Sequence, residues 1–200
     1  MPYRTIKFKG EDFSYIAPTW DEMQNLAFEI SKKMIDDGHK FDRIITLAKG
    51  GWPMTRSLVD FLQISEVASV GVKFYIGVNK ALEKPVVYQD LPISVSGENV
   101  LLFDDVADSG KSLKFIRNYL KEKGVGEITT ATLFYKPFSE IKPDYYGVET
   151  SDWIIFPYDA VESIKVLGGK WKKSGMDSNE IKKRYLELGF NKNLIEHYSK

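Results

Sequence analysis

The sequence predicts an α/β fold: a parallel β-sheet flanked by helices on both faces, extended by a C-terminal helical appendage. Three observations predict it. Short apolar runs that read as buried strands alternate with amphipathic helical patterns, the arrangement that covers a parallel sheet on both sides. Two of those runs end in loops that combine glycine with charge, Lys49-Gly50-Gly51 and Asp104 to Ser112. Of the 200 residues, 43% are hydrophobic, enough to bury the core of one domain with an appendage.

The first helix begins at Thr19. Pro18 precedes it, and Thr19-Trp20-Asp21-Glu22 has the T-x-x-E form of a capping box. Met23, Leu26, Ala27, Ile30 and Met34 recur at helical spacing, and Gly38 supplies the stop. Residues 43–48 form a short apolar run, a buried strand that ends at Lys49-Gly50-Gly51, and a second helix follows Pro53. Residues 67–76 are rich in β-branched and aromatic side chains and predict a strand. Residues 77–98 are polar and carry Pro85, Pro92 and Gly97, which predicts a long excursion, a hairpin or a lid. Residues 100–103 are a second buried strand. A helix starts near Ser109 and runs through Leu113, Ile116 and Leu120 to Lys123, with Gly124 as its stop. Residues 128–135 and 153–156 complete the strands. Ligands of such sheets sit beyond the carboxyl ends of the strands. Three segments fall there: Lys49 to Gly51, Asp104 to Ser112, and the turn after Tyr135.

The tail differs in composition. Residues 170–200 hold eight Lys/Arg and four Asp/Glu. Asp177 or Ser178 caps a helix through Leu188 with Ile181, Tyr185 and Leu188 as its apolar stripe, and Gly189 ends it. The expected organisation is one domain over 1–164 and a helical extension over 165–200, packed on the core or on a second subunit. Formal net charge is zero at a pI near 6.8, so nothing global advertises a nucleic acid or an anionic membrane. Cysteine is absent, which excludes disulfides and thiolate chemistry. His39 and His197 are the only histidines, which excludes a multi-histidine metal site within one chain. The first residues lack an apolar signal-type stretch, and no apolar run approaches a membrane span. A cytoplasmic protein is expected.

The segment 104–112 carries most of the chemistry. An apolar strand delivers Asp104 and Asp105, then Asp108-Ser109-Gly110-Lys111-Ser112 runs into a helix. A glycine turn at a helix start presents free backbone N–H groups, and the helix dipole favours an anion. The Ser109 and Ser112 hydroxyls add donors for a phosphate. The adjacent carboxylates are acceptors suited to vicinal ribose hydroxyls. Phosphate and hydroxyls together describe a ribose 5-phosphate. Two competing explanations are weaker. A nucleotide P-loop would need its first glycine where Asp105 stands, and a carboxylate there would oppose the phosphates. Simple helix capping would explain Asp108 and Ser109 but not the two carboxylates on the end of an apolar strand.

This segment resembles the motif by which type I phosphoribosyltransferases bind 5-phosphoribosyl 1-pyrophosphate (PRPP): apolar strand, two acidic residues, and a D-[ST]-G-x-[ST] phosphate loop. The resemblance implies that Asp104 and Asp105 bind the ribose hydroxyls and that Ala107, Asp108, Ser109, Gly110, Lys111 and Ser112 wrap the 5-phosphate. It implies that Asp108 lies near purine N7 as general base. Lys49-Gly50-Gly51 resembles the family's pyrophosphate loop. Lys136, in Tyr135-Lys136-Pro137, resembles the lysine that donates to purine O6 in bacterial xanthine-guanine enzymes. The segment 152–159 is similar to their tryptophan segment, so Trp153 would stack on the base and Ile154 would line the pocket. Asp159 is a candidate ligand for Mg²⁺, the cofactor the resemblance implies.

The fold implied is the type I core with a small hood. The reaction implied converts a 6-oxopurine and PRPP into a nucleoside 5-monophosphate and pyrophosphate in purine salvage, by a homodimer or tetramer. A phosphoribosyltransferase for adenine or a pyrimidine, and a non-catalytic PRPP-sensing regulator, remain open as alternatives. The resemblance covers roughly residues 40 to 160. The 165–200 tail matches neither the xanthine-guanine nor the hypoxanthine-guanine pattern.

Overall fold

The structure, a computed structural model, describes residues 3–77 and 80–199. In chain order the elements are β1 (Thr5–Ile6), β2 (Tyr15–Ile16), α1 (Trp20–Asp36), β3 (Arg43–Ala48), α2 (Trp52–Leu62), β4 (Val67–Gly77), β5 (Lys80–Gln89), β6 (Asn99–Ala107), α3 (Lys111–Glu122), β7 (Glu127–Tyr135), β8 (Tyr145–Glu149), β9 (Trp153–Ile154), a 3-10 turn over Pro157–Asp159, α4 (Ala160–Lys173), α5 (Ser178–Glu187) and α6 (Lys192–Tyr198). Two compact units result: residues 23–151, and residues 1–22 with 152–200. The helical extension expected over 165–200 lies within the second of these. Apolar residues of the amino-terminal segment and of the tail share one core, and a change in charge density along the chain carries no trace of that pairing.

The larger unit holds a six-stranded sheet in the order β5-β4-β3-β6-β7-β8. Every pairing is parallel except that of β5 on β4. β3 and β6 are neighbours whose connections leave in opposite directions, β3 through α2 to β4 and β6 through α3 to β7. Right-handed crossovers in opposite directions put α2 and α3 on opposite faces. The gap between the carboxyl ends of β3 and β6 is therefore a topological switch point, where such sheets bind ligands. Below it, Ile45, Leu47, Val100 and Leu102 form one buried cluster with Leu113, Ile116 and Leu120 of α3.

The helix signals of α1 hold at atomic detail. The Thr19 backbone N–H donates to Glu22 Oε2 at 2.7 Å, and the Glu22 N–H donates back to Thr19 Oγ1 at 3.2 Å, a closed capping box. Gly38 takes a left-handed φ of 80° just after the helix. The excursion expected over 77–98 is an antiparallel hairpin of β4 and β5; positions 78 and 79, like the first two residues of the chain, lie outside the described residues.

The smaller unit has a three-stranded sheet, β1-β2-β9, in which Tyr15 and Ile16 pair parallel with Trp153 and Ile154. α4, α5 and α6 complete it around Ile6, Phe8, Tyr15, Trp171, Ile181, Tyr185 and Phe190. Asp177 caps α5, its side chain accepting from the Asn179 and Glu180 N–H groups. At the centre lies Glu11, with a side chain 5% exposed. It accepts from Tyr15 Oη at 3.0 Å, Trp171 Nε1 at 2.6 Å and Arg184 Nη1 at 3.3 Å, and it pairs with Lys170. Burial pushes the Glu11 carboxyl up, but these hydrogen bonds outweigh burial and leave it below its ordinary pKa. No helix among the described residues is long and apolar enough to cross a membrane.

Candidate active site

The two loops that the sequence singled out stand side by side at the switch point. β6 runs further than residues 100–103 suggested. It keeps pairing with β7 to Ala107↔Tyr135, whereas its pairing with β3 ends at Thr46↔Phe103. Asp104 and Asp105 therefore lie inside a strand that is paired on one side only, and the free side faces the loop after β3. The ladder with β7, invisible in the local pattern of β6, accounts for the extra length.

The β3 loop is Lys49-Gly50-Gly51. The Ala48–Lys49 peptide is cis, Lys49 is exposed, and Gly51 is buried. A Cβ on Gly50 would lie 2.5–2.6 Å from the Asp105 carboxyl atoms. A Cβ on Gly51 would meet Thr46 Oγ1 and stand 2.9 Å from the Phe103 carbonyl oxygen. Both glycines are required by what lies beneath them. Thr46 is a site residue that the sequence reading passed over; it is the sole uncharged polar side chain in the run Arg43–Ala48, and that break in an apolar strand is the signal that marks it.

Asp105 is buried and Asp104 half-buried. The Asp105 N–H donates to Asp104 Oδ1 at 3.0 Å. Burial first, and the Asp105 carboxyl second, push the Asp104 carboxyl well above the usual carboxylate range. An acid held this way gains from any ligand that donates hydrogen bonds to it, and sugar hydroxyls are such donors.

Asp108 and Ser109 are exposed beyond the strand, and Gly110, at φ 75°, turns the chain into α3. The helix starts at Lys111 rather than near Ser109, with no side-chain cap hydrogen bond. The Lys111 N–H reaches Ser109 Oγ at 3.4 Å. Capping thus does not account for Asp108, and the first turn of α3 has N–H groups to offer an anion.

Lys136 is tied to this loop. Its backbone N–H donates to the Ala107 carbonyl at 3.0 Å, and the Glu140 N–H donates to the Ser109 carbonyl at 3.0 Å. A Cβ on Gly110 would collide with Ser139 Oγ and approach Ile141 to 3.0 Å. The turn after β7 thereby fixes the phosphate loop, a role for Ser139 and Ile141 that no sequence signal announced. Lys136 itself is 5% exposed, far from the solvated strand end that a lysine usually makes.

The remaining candidates belong to the smaller unit. Trp153 is 50% exposed, its ring 5.9 Å from that of Phe13, and its backbone N–H donates to the Ser14 carbonyl at 2.8 Å. Ile154 is half-buried beside it in β9. Asp159 closes the 3-10 turn, and burial, then Glu162, raise its carboxyl above the ordinary value. Among the described residues no three acidic or imidazole groups gather into a metal-binding cluster.

Known proteins carry the same pattern. The chain is 30% identical over 156 residues to the xanthine-guanine phosphoribosyltransferase of Ruegeria sp., covering 70% of this chain and 83% of the relative. It is 24% identical to the hypoxanthine-guanine phosphoribosyltransferase of Streptococcus agalactiae, over 68% of this chain and 79% of that one. The crystal structure of a purine phosphoribosyltransferase from Pyrococcus horikoshii superposes with a TM-score of 0.65 at 33% identity, covering 72% of this chain and 93% of that one. The model of the phosphoribosyl transferase domain matches residues 19–162, a span that holds both loops at the switch point as well as Lys136, Trp153 and Asp159. The chain belongs to the phosphoribosyl transferase domain family and is a phosphoribosyltransferase.

Proposed function

We propose that the protein transfers the 5-phosphoribosyl group of PRPP to a 6-oxopurine, releasing pyrophosphate and a purine nucleoside 5-monophosphate. The observation that carries the purine half is Lys136, a buried lysine registered by backbone hydrogen bonds to the phosphate loop. An ammonium donates only. It matches the O6 acceptor of guanine, hypoxanthine or xanthine and opposes the amino group of adenine. Relatives named for xanthine-guanine and hypoxanthine-guanine transfer support the same choice.

In the reaction the C1–pyrophosphate bond breaks, a bond from purine nitrogen to C1 forms, and the purine N7 proton passes to Asp108. The loop 107–112 and the first turn of α3 take the 5-phosphate, and the Asp104-Asp105 pair takes the ribose hydroxyls. Lys49, Gly50 and Gly51 hold the pyrophosphate. Lys49 supplies a positive charge where the leaving group develops negative charge. Trp153 and Ile154 are assigned to the base, as a stacking face and a pocket wall, and the β4–β5 hairpin to shielding the reacting centre. Mg²⁺ keeps several waters and is held through one or two carboxylates plus substrate phosphates. Asp159, at the end of the 3-10 turn Pro157–Asp159, is the carboxylate assigned to such an ion. Bound there, the ion would supply charge neutralisation to the pyrophosphate. Reaction in the cytoplasm, by a homodimer or tetramer, completes the proposal.

The test is a steady-state assay with PRPP and each of guanine, hypoxanthine, xanthine, adenine and uracil. Turnover with the 6-oxopurines is expected; turnover confined to adenine or uracil would sink the reading. Lys136→Ala should raise KM for the base at least about tenfold while changing KM for PRPP little, because a buried donor to substrate is lost.

A further inference from the structure

We propose that Phe13 and Lys170 are positioning residues for the purine base: Phe13 backs the indole of Trp153, and Lys170 holds Phe13 in place. The inference rests on the assignment of Trp153 to the base and extends it to segments that flank the family domain.

Trp153 opens the two-residue strand β9, where it pairs with Tyr15 and its backbone N–H donates to the Ser14 carbonyl at 2.8 Å. These contacts fix its backbone and leave its side chain to find support elsewhere. Trp153 is 50% exposed, and among the described residues the Phe13 ring is the only aromatic ring against it, 5.9 Å away at a tilt of 34°. A tilt that small is closer to stacking than to an edge contact, so Phe13 lies alongside the indole while half of Trp153 stays open to a ligand. An indole free to swing would lose that freedom each time a base stacked on it, at a cost to affinity. One already backed by a ring is in place before the base arrives.

Phe13 is held in its turn. The Tyr15 ring meets it in an edge contact at 5.1 Å. The Lys170 ammonium stands 4.2 Å from its ring centroid, a cation–π contact. Lys170 is itself paired with Glu11, whose side chain is 5% exposed and which also accepts from Trp171 Nε1 and pairs with Arg184. The support therefore runs from the core of the tail through Lys170 and Phe13 to Trp153, and every member belongs to the smaller unit. The family domain matches residues 19–162, a span that includes Trp153 but neither Phe13 nor Lys170. The stacking residue comes with the domain, and its support comes from the segments on either side, among them the tail that departs from both enzyme patterns.

The test uses the 6-oxopurine that the wild type turns over fastest among guanine, hypoxanthine and xanthine. Initial rates with Mg²⁺ are measured with this base varied at saturating PRPP, and with PRPP varied at saturating base. The variants are Trp153→Leu, Phe13→Leu, Phe13→Tyr, Lys170→Met and Lys170→Arg. Phe13→Leu is expected to raise KM for the base about three- to tenfold, with kcat and KM for PRPP within about twofold of wild type. Lys170→Met should raise KM for the base about two- to fourfold. Phe13→Tyr and Lys170→Arg keep the ring and the charge and should match the wild type, a rescue that general loosening of the smaller unit would not show. Lys170→Met combined with Phe13→Leu should be no worse than Phe13→Leu alone, because Lys170 acts through the ring. A raised base KM in Trp153→Leu beside a wild-type base KM in Phe13→Leu overturns the proposal, and so does a Phe13→Leu protein whose KM for PRPP rises as much as that for the base. A wild-type base KM in Trp153→Leu refutes the assignment of Trp153 instead, a separate result. Should Phe13→Leu fail to fold, Lys170→Met decides alone, because Lys170 is nearly half exposed and Glu11 keeps Tyr15, Trp171 and Arg184 without it; a base KM equal to wild type would then overturn the proposal.

Discussion

Asp104 and Asp108 sit four residues apart and differ in depth. Asp108 is exposed at the end of the strand, and the proposed reaction assigns it the purine N7 proton. Asp108→Asn should bind PRPP as the wild type does and turn over about a hundredfold more slowly or worse, as expected for loss of a general base; pre-steady-state assays with PRPP and purine check this. Asp104 instead keeps its proton too tightly, through burial and the neighbouring Asp105. Its folded-state pKa is raised, so its contribution to stability is intact below the ordinary carboxylate range and is lost as pH rises through the raised value. Asp104→Asn should flatten that part of the stability-pH curve and make the free protein more stable at neutral pH while weakening PRPP binding. Urea unfolding across pH 4–8, a window of about four units around the carboxylate range, tests this. Residue identities were legible from the chain alone: two acids, a serine-glycine loop, a lysine before proline. Their depth was not. That Asp105 is buried and Asp104 half-buried follows from their place inside a strand, and that requires knowing that β6 extends past Phe103 along β7.

At the scale of elements, legibility tracked how local the cause was. The capping box of α1, the stop at Gly38 and the Asp177 cap of α5 are contacts between residues a few positions apart, and each appears as the sequence implies. α4 escaped notice because Gly168-Gly169 interrupts its pattern. Gly168 is there to admit Tyr185: a Cβ would strike the Tyr185 hydroxyl, which donates to the Ile164 carbonyl. The two-residue strands β1, β2 and β9 have no periodicity to show. The start of α3 was misplaced by two residues because Gly110 and the turn after β7, not a side-chain cap, decide it. Gly110→Ala would force a non-glycine residue to φ 75° and push against Ser139. A loss of about 1–3 kcal/mol of stability is expected from the backbone alone. Affinity for nucleoside 5-monophosphates should fall with it, which thermal melts with and without nucleotide would read.

At the scale of the whole molecule, the pairing of the first twenty-two residues with those after 151 is what composition could not show. Glu11 and Arg184 are 173 positions apart, yet each is the other's buried partner, and Arg184 also lies 4.6 Å above the Phe8 ring. Glu11→Ala takes the buried carboxylate from a guanidinium whose side chain is 10% exposed, leaving it the more exposed Glu180 at 3.6 Å and the Lys9 carbonyl. Loss of a partner from a buried ion pair costs about 3–5 kcal/mol, enough to unfold the smaller unit well before the larger one. Calorimetric unfolding should then split into two transitions where the wild type is compared under the same conditions. The Glu11 carboxyl, held below its ordinary value, adds a pH dependence opposite in sign to that of Asp104: its stabilisation is present above the unfolded pKa and is lost as pH falls through the folded one. The same pairing fixes an order of events on the ribosome. Residues 23–151 find every neighbour of their sheet in chain already made by the time Glu149 emerges, because β8 is the last strand of that sheet. The segment before them, although translated first, has no strand β9 and no helix α5 to close on until some 130 further residues, and then some 160, have followed. Its apolar Ile6, Phe8 and Tyr15 must wait for their core, so a segment made before the sheet matures after it.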